Sequence, residues 1–506
     1  MSLAILKSRA QFGVEAPPVT IEVFLSGGLP RFNIVGLAET AVRESKDRVF
    51  GAIKSSGFEF PQRRITANLG PADMKKTGGR FDLAVALGIL VASRQFPVDR
   101  IGEFEFYGEL ALSGEMRPVP GILPAAVKAG ASGRPIVVPR ENADEAALAG
   151  GRILAAESLL QVTALLREGR EAMACPVAAS VPPAEGPDMA EVRGQQFARR
   201  ALEVAAAGGH NLLFIGPPGT GKSMLARRLP GLLPPMSSEE AIETAAVNSV
   251  LGIAPEPSRW HVRPIRAPHH TASAVALVGG GADPRPGEIS RAHNGVLFLD
   301  ELAEFGRHVL EVLREPLESG RITVSRASGQ AEYPARFQLV AAMNPCPCGY
   351  LGDRQRDCNC SAEAVRRYRG RISGPLLDRI DLKVQVNRPP VEALRPGAAP
   401  GESSRQIAKR VAHARKLQFQ RSGKVNAHLE AGELSAIFRA EPDCLGLLED
   451  AAVRLSLSAR AYQRIQRVAR TLADLAGQAR VSRQHVAEAL TLWQPERRAV
   501  PSRSLR

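Results

Sequence analysis

The stretch that most constrains this chain is Leu212-Leu213-Phe214-Ile215, which runs without a break into Gly216-Pro217-Pro218-Gly219-Thr220-Gly221-Lys222-Ser223. Four apolar residues predict a short buried strand, the next eight a glycine-rich turn, and a helix is expected from near Met224. Strand, loop and helix in that order build a phosphate cradle. Loop N–H groups curl around phosphate oxygens, the helix N-terminus adds partial positive charge, Lys222 reaches the β and γ phosphates, and Ser223 offers an oxygen to Mg²⁺. A merely structural turn has no need of a lysine followed by a serine. The motif therefore points to ATP with Mg²⁺ and to an α/β fold around a parallel sheet.

Such a loop requires a second strand ending in acid. Val296-Leu297-Phe298-Leu299-Asp300-Glu301 supplies it, with Asp300 placed to bind the metal and Glu301 to polarise an attacking water. An Asp-Glu pair after apolar residues is common by itself; the upstream loop gives this one its weight. A further apolar strand, Phe337 to Met343, ends at Asn344, which either orients that water or caps the turn before Pro345. The pair of acids says hydrolysis rather than binding alone.

A chain of 506 residues holds about three domains at roughly 100 to 200 residues each. Residues 1–167 read as a mixed α/β module: Val19 to Leu25 alternates like a half-buried strand, and Glu39 to Ser55 has helical spacing. Residues 168–187 form a proline-rich linker, 188–390 the nucleotide-binding core, 391–492 a helix-rich lid, and 493–506 a basic tail. The longest apolar run, Ala84 to Ala92, contains Gly88 and is about half the 18 to 20 residues of a membrane span, so no membrane role is expected. The first residues lack a secretion signal, and six cysteines point to a reducing compartment, hence the cytoplasm. Lys and Arg total 66 against 52 Asp and Glu, a net charge of +14. That excess suits a polyanionic partner, with plain solubility as the other reading.

Three further features carry chemistry. Ile322 to Phe337 alternates around Arg326-Ala327-Ser328-Gly329, the pattern of a hairpin with a basic tip, where Arg326 either touches nucleic-acid phosphate or is solvated. Cys346, Cys348, Cys358 and Cys360 form two Cys-x-Cys pairs nine residues apart. That spacing permits tetrahedral Zn²⁺ in a structural site; reduced thiols and a redox pair are the alternatives. Cys175 and Cys444 are isolated, and His269-His270 reads as a loop contact rather than a metal pair.

The loop, the acids and Asn344 together resemble an AAA+ ATPase over residues 190–492. The 78-residue gap from Lys222 to Asp300, with Gly279-Gly280-Gly281 inside it, and the hairpin at Arg326 resemble the magnesium-chelatase and MCM-type branch. That resemblance implies two insertions facing a ring pore. It also makes Arg379, in Leu376-Leu377-Asp378-Arg379-Ile380-Asp381, the arginine finger, and Arg460, in Ser458-Ala459-Arg460, the second sensor that meets γ-phosphate. Arg379 beside two aspartates also reads as a local salt bridge. Arg405, Lys409, Arg410, Arg415 and Lys416 crowd a helix expected over Gln406 to Gln420, as DNA-tracking charge or as solvated lid surface.

Near the N-terminus, Gly70 to Asp82 and Tyr107 to Ile122 resemble the proteolytic domain of Lon-type proteases. The serine position falls on or beside Arg80 and the lysine position on Leu123, so the dyad is missing and a scaffold is implied. Lys75, Lys76, Arg80, Arg63 and Arg64 suit phosphate binding or a solvated face. The whole arrangement resembles the YifB/ComM family of magnesium-chelatase-like AAA+ ATPases. The resemblance implies a homo-hexameric, ATP-driven motor on single-stranded and branched DNA, a branch-migration helicase acting in natural transformation. A chelatase-type ATPase remodelling a protein complex and a Lon-like ATP-dependent protease are its rivals.

Overall fold

In the computed structural model the described residues are 2–36, 40–96, 101–169, 173–174, 186–281, 284–326, 329–353, 355–390, 395 and 401–493. Most of the linker and of the Pro389 to Pro400 break, residues 494–506 and Cys175 lie outside them. The alternation noted at Val19 to Leu25 becomes β2 (Pro18–Ser26), which pairs antiparallel with β1 (Ser2–Arg9) and buries every second side chain. With β3 (Arg31–Val35), β4 (Arg64–Gly70) and β5 (Glu105–Phe106) it belongs to an eight-stranded mixed sheet. A ribbon of β6 (Glu109–Leu110) and β7 (Met116–Arg117) lies apart, and β8 (Ile136–Pro139), β9 (Arg152–Ala156) and β10 (Met173–Ala174) complete the order β10-β9-β8-β5-β1-β2-β4-β3.

The apolar run at Ala84 to Ala92 is a core helix, Asp82–Ala92, whose residues are buried except Val91. Its Gly88 sits so close to β2 that a Cβ there would lie 2.5 Å from Val23 Cγ2. No helix among the described residues is long and apolar enough to cross a membrane. The basic residues of this domain do not form one surface: Lys76 is fully buried with its ammonium on the Pro71 carbonyl, and Arg80 is 4% exposed.

The second sheet is wholly parallel. Its strands are β11 (Leu212–Ile215), β12 (Ile265–Arg266), β15 (Val296–Leu299), β18 (Gln338–Met343) and β19 (Leu382–Gln385), in the order β12-β15-β18-β11-β19. Alternate residues feed two cores. Leu212, Phe214, Val296, Phe298, Val340 and Ala342 pack with helix Gln196–Gly208 and the C-terminal helices, while Leu213, Leu297, Leu299, Leu339 and Ala341 pack on the other face. Between β12 and β15 a ribbon of β13 (Gly279–Gly280) and β14 (Arg285–Pro286) is inserted, and ahead of β18 the expected hairpin pairs β16 (Arg321–Arg326) with β17 (Gly329–Pro334). Ala327 and Ser328 at its tip lie outside the described residues.

The end segment is helical: Ser404–Ser422, Ala431–Ile437, Pro442–Arg454, Ala459–Leu475 and Arg483–Leu492. The first is started by a reciprocal cap between Ser403 and Gln406 and buries Ile407, Val411, Ala414 and Gln418. Two cations expected on its free face are structural. Arg410 pairs with Glu203 and Glu402, and Arg415 donates from Nε to the Ala206 carbonyl at 2.8 Å. Arg470 likewise turns inward, to the carbonyls of Gln478 and Ala479.

The two α/β domains meet where helix Ile122–Ala131 packs on helix Ser238–Val250 through Leu123, Met236, Ala241, Ala245 and Trp260. Gly121 N–H donates to the Ser249 carbonyl at 2.8 Å and the Gln11 amide to the Val250 carbonyl at 2.9 Å.

The helical segment is tied together at Asp474, which is 1% exposed. Arg421 bonds both its oxygens at 2.8 Å, Asn426 donates to it at 2.8 Å, and Arg470 at 3.2 Å. Asp474→Ala strands two guanidinium groups without their carboxylate, and breaking a buried pair in this way costs about 3–5 kcal/mol. A large drop in the thermal midpoint, with the helical segment unfolding first in hydrogen exchange, is the expected result; an unchanged midpoint would show the network to be dispensable.

Candidate nucleotide-binding site

The glycine loop sits where β11 ends. Gly216 has no room for a side chain, because a Cβ there would fall 2.1 Å from the Val386 carbonyl oxygen. Gly221 has φ +89°, and from it helix Lys222–Ala226 starts, two residues earlier than expected. Thr220 Oγ1 closes the loop on the Pro217 carbonyl at 3.0 Å. Lys222 is 8% exposed, and its Nζ donates to the Gly216 and Pro217 carbonyls at 2.7 and 2.8 Å and to Asn344 Oδ1 at 3.2 Å. Burial lowers its pKa, and Asp300 and Glu301 act against that.

The acids arrive on the neighbouring strands. Leu299 of β15 is level with Ala341 of β18, and Ala341 with Leu213 of β11, so Asp300, Asn344 and Gly216 emerge at one edge. Ser223 Oγ donates to Asp300 Oδ2 at 2.6 Å. Two hard oxygen donors in contact, beside a loop of N–H groups, fit Mg²⁺ carried by a triphosphate. The metal would supply charge neutralisation of the β and γ oxygens.

Glu301 has φ +53°, a left-handed conformation that costs a non-glycine residue about 1–3 kcal/mol. Its carboxylate is half exposed and lies 3.0 Å from His270 Nδ1. The His269 and His270 rings sit side by side with centroids 4.1 Å apart. The sequence offered the pair only as a loop contact; its contact with Glu301 follows from β12 lying beside β15, which no local pattern announces.

Behind the loop a cavity of about 330 Å³ is lined by Val192, Gln195, Met224, Leu225, Arg388 and Pro389 among others. This size and its mixed lining suit the base and ribose of a nucleotide. Gln195, itself at φ +53°, donates to the Thr220 carbonyl at 3.1 Å and to the Asn387 carbonyl at 2.5 Å, joining the segment before helix Gln196–Gly208 to the loop. Sequence reasoning missed these residues; the Gly194-Gln195 pair before the helix was the available signal.

Arg379 and Arg460 are elsewhere. Both line a cavity of about 770 Å³ together with Asn211, Arg336, Arg464 and Arg467. Asn211 precedes β11, Phe337 precedes β18 and Asp381 precedes β19, so this cavity is at the opposite edge of the sheet from Lys222. Four residues of β11 at about 3.3 Å each put about 13 Å of strand between the two edges. Asn211 Nδ2 donates to the Arg379 carbonyl at 2.8 Å, Arg379 Nη1 donates to Pro375 at 2.7 Å, and its Nη2 pairs with Glu318. Arg379 therefore pairs with neither of its adjacent aspartates. Asp381 serves the sheet instead: burial opposes its ionisation, but His210, Arg464 at 3.4 Å and the Asn211 N–H hold its pKa below the usual range. Arg460 is not over its own glycine loop.

Arg326, exposed on the hairpin, donates to the Ser325 carbonyl at 2.9 Å and to Gly279 of the neighbouring ribbon at 3.3 Å, so the two insertions touch. The four clustered cysteines are brought together: Cys346 Sγ is 3.4 Å from Cys348 Sγ and 3.6 Å from Cys358 Sγ, Cys348 to Cys358 is 3.5 Å, and all four sulfurs lie within 4.8 Å of one another. Four thiolates at about 2.3 Å from one ion would be about 3.8 Å apart, so the set fits a tetrahedral soft cation. The Tyr350 N–H pulls the Cys348 thiol down to about 6. Cys444 is buried, with its thiol on the Val481 carbonyl.

A parallel sheet in this order, with a phosphate loop, paired acids and two insertions, defines a magnesium-chelatase-like AAA+ ATPase. Residues 188–394 match the family "Magnesium chelatase, subunit ChlI", residues 21–142 "Subunit ChlI of Mg-chelatase", and residues 401–492 "Magnesium chelatase, subunit ChlI C-terminal". The chain is 50% identical to protein YifB of Salmonella typhimurium and 49% identical to competence protein ComM of Haemophilus influenzae, each over 97% of both chains. It is 28% identical to the magnesium-chelatase 38 kDa subunit of Cereibacter sphaeroides over 39% of this chain and 57% of that one. This protein belongs to the YifB/ComM family of magnesium-chelatase-like AAA+ ATPases.

Lys222→Ala removes the ammonium buried at the phosphate loop. Binding of a fluorescent ADP analogue should weaken by at least about 100-fold, as expected for losing a buried charge-assisted contact with phosphate. Wild-type affinity in this variant would move the nucleotide to another site.

Proposed function

We propose that this protein is an ATP-driven DNA motor that works as a homo-hexameric ring and moves branch points in single-stranded and branched DNA. The reading extends the family's ATPase chemistry in two steps, one about assembly and one about the substrate.

Assembly rests on one observation: Lys222, Asp300, Glu301 and Asn344 share one edge of the sheet, whereas Arg379 and Arg460 share the other. In this reading Arg379 and Arg460 serve the ATP held by an adjacent copy, Arg379 as the finger that stabilises charge on the transferring phosphoryl group. A finger of that kind contributes roughly 10³ to 10⁵ in rate. Glu301 is the general base for the attacking water, and Asn344 holds that water from the next strand. Head-to-tail contacts that close on themselves make a ring.

The DNA step is supported by the relative named a competence protein, by the net charge of +14, and by the paired insertions that carry Arg326 and Arg285. Natural transformation is the process in which such a motor would extend heteroduplex while incoming single-stranded DNA integrates. The Lon-like peptidase reading lacks its chemistry, since Arg80 and the fully buried Leu123 supply neither an activated hydroxyl nor a low-pKa amine. At the cysteine cluster we infer Zn²⁺ held by Cys346, Cys348, Cys358 and Cys360, a closed structural site.

Mixing tests the assembly. Glu301→Gln alone should bind ATP and stall, and Arg379→Ala alone should turn over at most about 1% as fast as wild type. Mixed 1:1, randomly assembled rings regain about a quarter of the intact sites, those pairing a good Glu301 with a neighbour's good Arg379. No recovery on mixing would sink the shared site. Purified protein should also displace strands from three- and four-way junctions with ATP, and DNA should raise ATP turnover; a protein that hydrolyses ATP but ignores DNA is a chelatase-type remodeller instead.

A further inference from the structure

Residues 346–360 contain no helix or strand among the described positions, only turns, bends and irregular chain. An irregular stretch of about 15 residues is uncommon in a compact domain unless it has a function. This one touches the nucleotide site at three points. It begins two residues after Asn344, where Arg369 Nε donates to the Pro345 carbonyl at 3.1 Å. It then crosses the phosphate loop at Gly349, φ +87°, where a Cβ would lie 2.9 Å from Pro218 Cδ and 3.9 Å from Asn344 Cγ. Further on, Gln355 lines the 330 Å³ cavity, and Asp353, 3% exposed at its side chain, accepts from Arg388 of the same cavity at 3.1 Å.

The sulfur cluster joins the two ends of this stretch. The sulfurs of Cys346, Cys348 and Cys358 lie 3.4 to 3.6 Å apart, and Cys360 closes the set. A chain segment closed at both ends loses few conformations when it meets a ligand, whereas the same segment released pays the ordering entropy of each residue at that moment. We propose that the four-cysteine metal site is a brace for ATP binding: by clamping residues 346–360 onto Pro218, Asn344 and Arg388, the bound cation preforms one wall of the nucleotide pocket. The inference rests on the zinc reading above and adds a consequence to it. Nucleotide affinity depends on the metal, although no cysteine touches the nucleotide.

The metal's role here is geometric, and no bond in it is made or broken during turnover. Pro218 and Asn344 are anchored by β11 and β18, which do not depend on the cluster, so the sheet persists while the pocket wall loosens.

The test uses the full chain, with zinc content by mass spectrometry, affinity for a fluorescent ADP analogue, and near-ultraviolet circular dichroism as three separate readouts. Wild-type protein should hold one zinc per chain. Stripping it with a chelator should weaken ADP binding about tenfold or more, and restoring zinc should recover it. Gly349→Ala keeps every cysteine but pushes a methyl against Pro218; it should retain its zinc and still lose about tenfold in ADP affinity. Because Gly349→Ala keeps the metal, it reports the fit of this wall against Pro218 separately from any unfolding of the stripped protein. Wild-type affinity in Gly349→Ala or in folded, zinc-free protein would overturn the brace while leaving the zinc site standing. Wild-type protein without zinc would overturn the site and the brace with it.

Discussion

The direction of five strands organises this molecule. Because β12, β15, β18, β11 and β19 all run the same way, every loop that follows a strand opens on one edge and every residue that precedes a strand sits on the other. The following loops are the glycine loop, the Asp300-Glu301 turn and Asn344; the preceding positions are Asn211, Phe337 and Asp381. One chain thus presents a phosphate cradle at one edge and an arginine-rich cavity at the other. No side-chain motion brings Arg379 across about 13 Å of strand to Lys222, since its carbonyl is bonded to Asn211 and its guanidinium to Pro375 and Glu318. The proposed division of labour between copies would follow from sheet polarity before it followed from any single residue.

That polarity is kept by packing that leaves little freedom. Alternate side chains of each strand go to different cores, so a one-residue slip in β18 would exchange Val340 and Ala342 with Leu339 and Ala341 and move Asn344 off the edge. Where the Asp300-Glu301 turn departs from this order, the chain carries strain: Glu301 is left-handed two residues after a fully buried strand. A carboxylate in that posture, contacted by His270 at 3.0 Å, is positioned by the backbone rather than by side-chain rotamer alone.

Much of this was legible in the sequence, for a physical reason. The loop from Gly216 to Ser223, the strand ending at Asp300 and the strand ending at Asn344 are each local patterns whose chemistry depends on adjacent residues, so a linear reading captures them. The Arg326 hairpin is a local alternation and was equally readable. Non-local placements were not. Nothing beside His270 says that β12 lies next to β15, and nothing beside Val192 or Arg388 says that they meet across the glycine loop. On the helix Ser404–Ser422 the helical spacing of Ile407, Val411 and Ala414 continues to Leu417, whereas the buried position is Gln418, whose Oε1 accepts the Asn426 N–H at 2.9 Å. A polar residue satisfied by a distant backbone group leaves no trace in a hydrophobic period.

The net charge is the instructive case. An excess of 14 cations was read as a sign of a polyanionic partner, yet many arginines prove to be internal fittings. Arg9 is locked to Glu105, Arg263 to Glu240, Arg415 to a carbonyl of helix Gln196–Gly208, and Arg470 to the chain that follows its own helix. Arginine suits this work because its fork makes several directed bonds and remains charged when burial lowers its pKa, as at Arg415, where burial first and then Arg263 bring it to about 9. The charge that can meet DNA is therefore the subset left outside such contacts, and its location matters more than its sum. Arg326 and Arg285 are exposed on two insertions that touch each other. Both insertions leave the sheet on strands that flank the Asp300-Glu301 turn: β13 and β14 lie between β12 and β15, and β16 and β17 between β15 and β18. In the proposed motor, a shift at Glu301 or Asn344 would reach Arg285 and Arg326 through these strands, the coupling such a reading requires.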